Sequence, residues 1–218
     1  MISAFRIGIV SLVVGAMLVA LSACKGNDTP PPPPATPQSP ENAPPTERVV
    51  GPLSEEDARA LATMNDRLKE YVDLHLKLER SLPKLPDKAT PEQIDKNQRA
   101  LGKMLQEARA TAKPGDLFTP EATPVIKRLL ATVFAGPEGK QLKASIMDEN
   151  PVDPVALKLT VNARYPDVVP LTSVPPQVLQ TLPKLSEDLE YRFVGDWLIL
   201  LDSHAHTIAD FIDNALPK

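Results

Sequence analysis

A proline-rich segment divides the chain and limits how much of it can build a core. Ten of the 25 prolines lie in residues 25–52, including the unbroken run Pro30–Pro34. Proline fixes φ and lacks the backbone N–H, so this stretch favours extended polyproline II and cannot form a packed core. Residues 24–52 are therefore predicted to be a disordered tether that reaches roughly 85 Å at about 3.1 Å per residue. A proline-rich ligand for a partner domain is the alternative interpretation.

The segment before the tether has the layout of an export signal. Arg6 precedes an uncharged apolar stretch, Ile7–Leu21, and two small residues follow. This order is typical of a signal peptide. The apolar stretch has about fifteen residues, fewer than the roughly 20 that a membrane-spanning helix needs. A signal peptide over residues 1–23 is therefore favoured over an uncleaved anchor.

The end of this segment, Leu21-Ser22-Ala23-Cys24, closely resembles the lipobox of bacterial lipoproteins. The resemblance implies that the Cys24 sulfur takes a diacylglyceryl group, that the signal is cut before it, and that the new amino terminus is acylated. Several acyl chains would make the anchoring permanent, because each buried methylene contributes roughly 0.8 kcal/mol. Lys25, in place of an aspartate, implies sorting to the outer membrane, facing the periplasm. A secreted protein with an incidental cysteine is the alternative.

Composition supports this interpretation and limits the partners. Cys24 is the single cysteine of the chain, whereas an oxidising compartment would invite pairs. Loss of the signal removes one base, Arg6, and no acid, so 23 Lys and Arg face 28 Asp and Glu, a formal charge of −5. This excess of acid argues against a nucleic-acid partner. The predicted partners are the membrane, through the lipid, and cell-wall or envelope proteins.

Residues 53–150 are predicted to form three to four helices. Ser54 with Asp57, and Thr90 with Gln93, are capping pairs at helix starts. Apolar residues then recur at spacings of three and four. In the first helix this stripe is Leu61, Met64, Leu68, Tyr71, His75, Leu78 and Leu82. Further helices are predicted from Thr90 to Lys113, from Thr119 or Thr123 to Ala135, and from Pro137 to Glu149.

Residues 151–218 are predicted to be mainly strands. The clearest alternation of apolar and polar residues runs from Val155 to Tyr165 and predicts a strand. A hairpin is predicted around Gly195-Asp196, because glycine accepts the positive φ of a tight turn. Thr207–Ile212 is predicted as a last strand, and Pro175–Leu182 as a short helix. Residues 53–218 are thus predicted as a single α+β domain, with helices packed on a small antiparallel sheet.

The C-terminal tail gives a second resemblance. Tyr191–Asp202, continued by Ile208–Ile212, resembles a hairpin at the ends of uncharacterised bacterial envelope proteins. The resemblance implies an envelope location and no activity. Trp197, the single tryptophan, is predicted to lie in the core or on a sheet face.

Asp202, His204 and His206 are the one group of candidate ligands in the sequence. In an extended segment their side chains would point the same way and offer a carboxylate and two imidazoles to a zinc-type ion. A fourth ligand at a recognisable spacing is lacking, so solvated turn histidines are favoured. His75 is predicted to be a satisfied, partly buried histidine. The acidic pair Glu187 and Asp188 is interpreted as loop residues that contribute to solubility, and not as an acid/base pair.

The sequence contains no nucleophile elbow, metalloprotease pair, phosphate loop or dinucleotide fingerprint. No cofactor and no enzymatic activity are predicted. The leading hypothesis is a membrane-anchored envelope lipoprotein that serves as an accessory, structural or interaction protein. Two alternatives stay open: a carrier of an apolar ligand, and a metal-binding protein or metal-dependent hydrolase that uses Asp202, His204 and His206.

Overall fold

Four helices of 11 to 25 residues precede a three-stranded sheet. The computed structural model describes residues 53–149 and 152–217, so the predicted signal peptide, Cys24 and the tether lie outside the described residues. In chain order the elements are α1 (Glu55–Glu79), α2 (Pro91–Ala108), α3 (Ala122–Phe134), α4 (Gly139–Glu149), α5 (Pro176–Leu179), β1 (Leu189–Val194), β2 (Trp197–Asp202) and β3 (Thr207–Ile212). The α+β class is confirmed. Among the described helices, none is long and apolar enough to cross a membrane.

The helix starts follow the predicted caps. The Ser54 side chain accepts a hydrogen bond from the Asp57 amide at 3.0 Å, where α1 begins. Thr90 and Gln93 form a reciprocal capping box at the start of α2, with Pro91 at its first position. Each cap satisfies amides that the first helical turn leaves without a partner. The predicted starts of α1, α2 and α3 are confirmed to within a few residues. α1 ends at Glu79 and α2 at Ala108, a few residues before the predicted ends at Leu82 and Lys113.

The sheet is antiparallel, in the order β1-β2-β3, and both of its faces are buried. On one face, Tyr191, Leu200 and Ala209 join the main core with the helices. On the other face, Ile199 and Ile208 belong to a second cluster. The hairpin and the last strand are confirmed, and Gly195 has a φ of 56° in the turn. Trp197 stacks on Phe211 at 4.6 Å between ring centroids, on the second face, as predicted.

The strand predicted from Val155 to Tyr165 is wrong. This segment consists of turns, with a single bridge between Arg164 and Thr207. Lys158 and Asn162 have φ values of 52° and 66°, a left-handed conformation that interrupts an extended strand. Leu159 and Tyr165 are buried against the second face of the sheet, whereas Val155 is 68% exposed. The alternating residues therefore cover the sheet as turns and do not extend it, so residues 152–188 are not mainly strands.

A buried carboxylate fixes the loop between α2 and α3 on the sheet. Asp210 of β3 is 0% exposed and accepts hydrogen bonds from four backbone amides, at 2.8 to 3.1 Å. The donors are Gly115, Leu117, Phe118 and Phe211. Burial raises the pKa of Asp210, and the amide hydrogen bonds offset part of this rise. Each of these four partners of the carboxylate is a backbone amide, so Asp210 has a structural role.

Candidate metal centre

The C-terminal half of α1 directs three polar side chains to one end of the sheet. Tyr71, His75 and Glu79 are spaced by four residues, so they lie one above another on the same helix face. Tyr71 and His75 are buried, at 3% and 0% exposure, and Glu79 is the last residue of the helix. The stripe that packs α1 on the core therefore ends in polar groups next to β2.

Asp202, the last residue of β2, holds His75 in one orientation. Its Oδ2 lies 2.6 Å from His75 Nδ1 and accepts a hydrogen bond from the Tyr71 hydroxyl at 2.8 Å. Its Oδ1 accepts a hydrogen bond from the Ala205 amide at 2.8 Å. An ionised carboxylate can only accept, so Nδ1 of His75 carries the proton. In the neutral imidazole the other ring nitrogen, Nε2, then presents a lone pair.

This Nε2 atom of His75 is buried and has no hydrogen-bond partner. The nearest charged groups are the Asp188 carboxylate at 3.8 Å and the Glu79 carboxylate at 3.9 Å, beyond hydrogen-bond length. A buried polar atom without a partner costs about 1–3 kcal/mol, which is why such atoms call for an explanation. The atom faces a cluster of potential metal ligands.

Asp188 and His204 complete this cluster, and Ser203 brings them together. The Ser203 amide and hydroxyl both donate to the Asp188 carbonyl oxygen, at 3.0 and 3.2 Å. This links the residue before β1 to the loop between β2 and β3. Nδ1 of His204 lies 3.0 Å from Glu79 Oε1 and 3.9 Å from Asp188 Oδ1. One ligand atom of each of these side chains lies within 4.8 Å of a ring nitrogen of His75. As for His75, the contact with a carboxylate places a proton on Nδ1 of His204, so a metal ion at this nitrogen would have to replace that proton.

The spacing of these groups suits a transition-metal ion. One ligand atom from each of His75, Asp188 and His204 lies within 4.8 Å of the other two. Zinc binds nitrogen and oxygen at about 2.0–2.2 Å, so two ligands of a tetrahedral site stand about 3.4 Å apart. The separations of 3.8 and 3.9 Å between Asp188 and the two histidines would have to shorten by about half an ångström, and the ligand atoms of His75 and His204, which lie within 4.8 Å of each other, would have to approach as well. Asp202 behind His75 matches the carboxylate–histidine–metal arrangement that orients such ligands.

The electrostatics of the cluster favour a cation. Burial lowers the pKa of His75, but the hydrogen bond to Asp202 and the nearby carboxylate charges raise it by more, so this pKa lies above its ordinary value. The same carboxylates that stabilise an imidazolium would stabilise a bound metal ion in its place. Burial raises the pKa of Tyr71 well above its ordinary value, and the Asp202 charge adds to this rise. Tyr71 therefore remains a hydrogen-bond donor to Asp202.

The structure separates the three ligands that the sequence grouped. His204 belongs to the cluster, and Asp202 lies behind His75 with both oxygens already accepting hydrogen bonds. His206 points elsewhere: its ring packs edge-on against Tyr165, and its Nε2 lies 4.0 Å from Asp167. The reason is that β2 ends at Asp202 and turns follow, so the segment is not extended.

Two residues of the cluster were assigned other roles from the sequence. His75 is fully buried and only half satisfied, so its prediction as a satisfied, partly buried histidine is wrong. Asp188 was interpreted as a soluble loop residue, but only 14% of its side chain is exposed. The sequence did contain an indication for His75, because this histidine lies on the stripe of α1 whose other positions carry mostly apolar side chains. The pairing with residues more than 100 positions away had no signal in the sequence.

Comparisons of the chain with protein-family models, with curated proteins and with solved structures give no match.

Proposed function

We propose that the protein is a lipid-anchored protein of the bacterial envelope whose folded domain binds one divalent transition-metal ion. The observation that carries the metal-binding function is the buried Nε2 atom of His75, which has no hydrogen-bond partner and faces Asp188 and His204. A metal ion would give this nitrogen the partner that the described residues do not. Binding is the proposed activity, and no catalytic step is assigned to the site.

The ligand set favours zinc among the common ions. Two imidazole nitrogens with carboxylate oxygens suit Zn²⁺, and Cu²⁺ or Ni²⁺ would compete at the same site. Ca²⁺ and Mg²⁺ prefer oxygen ligands alone, so they should bind weakly beside His75 and His204. The carboxylates of Asp188 and Glu79 would neutralise the charge of the ion.

The proposed location depends on the sequence Leu21-Ser22-Ala23-Cys24. Lipid on Cys24 would hold the chain at a membrane, and Lys25 after it favours the outer membrane, facing the periplasm. The proline-rich residues that follow would set the domain at a distance from the lipid. Envelope or cell-wall proteins are the partners that such a position would offer.

Calorimetric titration of the purified full-length protein with zinc tests the metal function. The protein should carry no oligohistidine tag, because such a tag binds zinc itself. One equivalent of zinc should bind, and His204→Ala should weaken the affinity by about tenfold or more. Ca²⁺ and Mg²⁺ should give no comparable signal. Lack of zinc binding by the unaltered protein would refute the proposal.

His206→Ala is the matched control for this titration. His206 is two residues from His204 in the same loop, but it contacts Tyr165 and Asp167. Its removal should leave the affinity for zinc unchanged. Equal losses for both variants would point to disruption of the loop and would count against His204 as a ligand.

Fractionation of cells that express Cys24→Ala tests the anchor. The unaltered protein should sediment with membranes, and the variant should move to the soluble fraction because it lacks the lipid attachment atom. Density-gradient separation of the two membranes then tests sorting. A variant that stays in the membrane fraction would contradict lipid anchoring through Cys24.

A further inference from the structure

The candidate ligands differ strongly in exposure, and the difference runs from the core to the surface. The side chain of His75 is 0% exposed and that of Asp188 is 14% exposed. The side chains of Glu79 and His204 are 36% and 51% exposed. The site therefore has an inner pair of ligands, His75 and Asp188, and an outer pair, Glu79 and His204.

Glu79 is placed to be the fourth ligand. One of its carboxylate oxygens lies 3.0 Å from His204 Nδ1 and the other lies 3.9 Å from His75 Nε2. Glu79 lies outside the group of His75, Asp188 and His204 whose ligand atoms are all within 4.8 Å of one another, so its carboxylate would have to turn toward a bound ion to complete a set of two nitrogens and two oxygens. Four protein ligands fill a tetrahedral site and leave no position for the water of a hydrolase. The set fits an ion that is bound and released without reaction.

The inner pair is held by the protein alone. Asp202, which accepts a hydrogen bond from the Tyr71 hydroxyl, fixes His75, and the two Ser203 hydrogen bonds fix the Asp188 backbone. Around them, the main core joins α1 to all three strands through buried apolar side chains. Structural zinc sites differ, because there the ligands assemble only with the metal and the apo chain unfolds. Here hydrogen bonds within the protein orient both inner residues.

The outer pair lies where an ion can enter and leave. Glu79 ends α1, so its side chain stands at the end of a helix, and the carboxylate of Glu79 and the ring of His204 contact each other at the surface. Turning these two exposed side chains outward would uncover the inner pair without any change in the core. An incoming ligand of another molecule could then take the ion from the outer side.

On the basis of the metal site proposed above, we infer that the ion is exchangeable cargo, taken up and given away by the folded domain through Glu79 and His204. The cargo is a divalent ion of the zinc class. The inner pair sets where the ion sits, and the outer pair controls its release.

Release of zinc from the full-length protein to an excess of a chromogenic chelator tests this inference. The zinc-loaded protein should give up its ion within minutes, while circular dichroism and the melting curve show that it stays folded. Glu79→Gln should release zinc faster by about tenfold, because a neutral amide oxygen is a weaker ligand than a carboxylate. Glu70→Gln is the matched control: Glu70 is also exposed on α1 and pairs with Arg67, so its release rate should equal that of the unaltered protein.

The outcomes separate the two proposals. If the unaltered protein binds no zinc, the proposed function itself fails. If zinc binds but stays in the folded protein for hours against the chelator, or leaves only as the domain unfolds, the ion is structural and the exchange inference is overturned. Release from Glu79→Gln at the unaltered rate would remove Glu79 from the ligand set.

Discussion

Two buried aspartates on neighbouring strands, Asp202 and Asp210, have opposite roles in this domain. Both are 0% exposed. Asp210 accepts hydrogen bonds from four backbone amides, which have no further capacity to bind anything. Asp202 accepts from one amide and from the side chains of Tyr71 and His75. The imidazole has a second nitrogen, so the influence of Asp202 extends to the ligand cluster, whereas that of Asp210 ends in the fold.

Because their partners differ, we expect Asp210 to matter for stability and Asp202 for both stability and metal binding. The role of a carboxylate that has only backbone partners can be determined from the free energy of unfolding alone. For a carboxylate that hydrogen-bonds to a proposed metal ligand, the affinity for zinc has to be measured as well. Measurements on both residues, made in the presence and absence of a chelator, would separate the two roles.

The largest effect on stability is expected for Asp210→Ala. The substitution leaves four amides without their acceptor, and we expect a loss of about 4 kcal/mol in the free energy of unfolding, measured by urea titration in a chelator. If this variant does not fold, Asp210→Asn, which keeps one acceptor oxygen, should lose about half as much. The exposed Asp213, which pairs with Lys127, is the control, and Asp213→Ala should cost less than about 1 kcal/mol. Equal losses at the two positions would contradict the role assigned to Asp210.

Asp202→Asn should have the largest effect on metal binding that does not remove a ligand. The amide keeps the shape of the side chain but loses the charge that orients and polarises His75, so we expect the affinity for zinc to fall by about 10- to 100-fold. The free energy of unfolding should fall by about 2 kcal/mol, because a charge-assisted hydrogen bond is weakened.

Asp210→Asn makes the same chemical change in the neighbouring strand and is the matched control for affinity. Titrations at a temperature where both variants are folded should show unaltered zinc affinity for Asp210→Asn. A similar fall in both variants would mean that general loosening of the sheet, and not the contact with His75, weakens the site.

The sequence predicted the framework of the fold better than it predicted the site. Caps such as Ser54 and Thr90 and the turn glycine Gly195 act over a few residues, so their patterns are local and their elements are confirmed. The cluster depends on a contact between residues 127 positions apart, His75 and Asp202, which no local pattern encodes. Asp202, His204 and His206 were grouped because they are close in sequence, whereas the structure places His204 beside His75 and Asp188, and His206 beside Tyr165 and Asp167.

The smallest effect is expected for Tyr71→Phe, which removes one of the three donors to Asp202. The loss should be about 1 kcal/mol in the free energy of unfolding, since a single buried hydrogen bond is broken. Tyr191→Phe is the matched control, because that part-buried hydroxyl also donates a single hydrogen bond, to the Pro183 carbonyl oxygen at 3.1 Å. Stability should fall by a similar amount in both variants, whereas only Tyr71→Phe should change the affinity for zinc, by about threefold. A change in affinity for Tyr191→Phe, or none for Tyr71→Phe, would show that Asp202 does not link the core of α1 to the ligands.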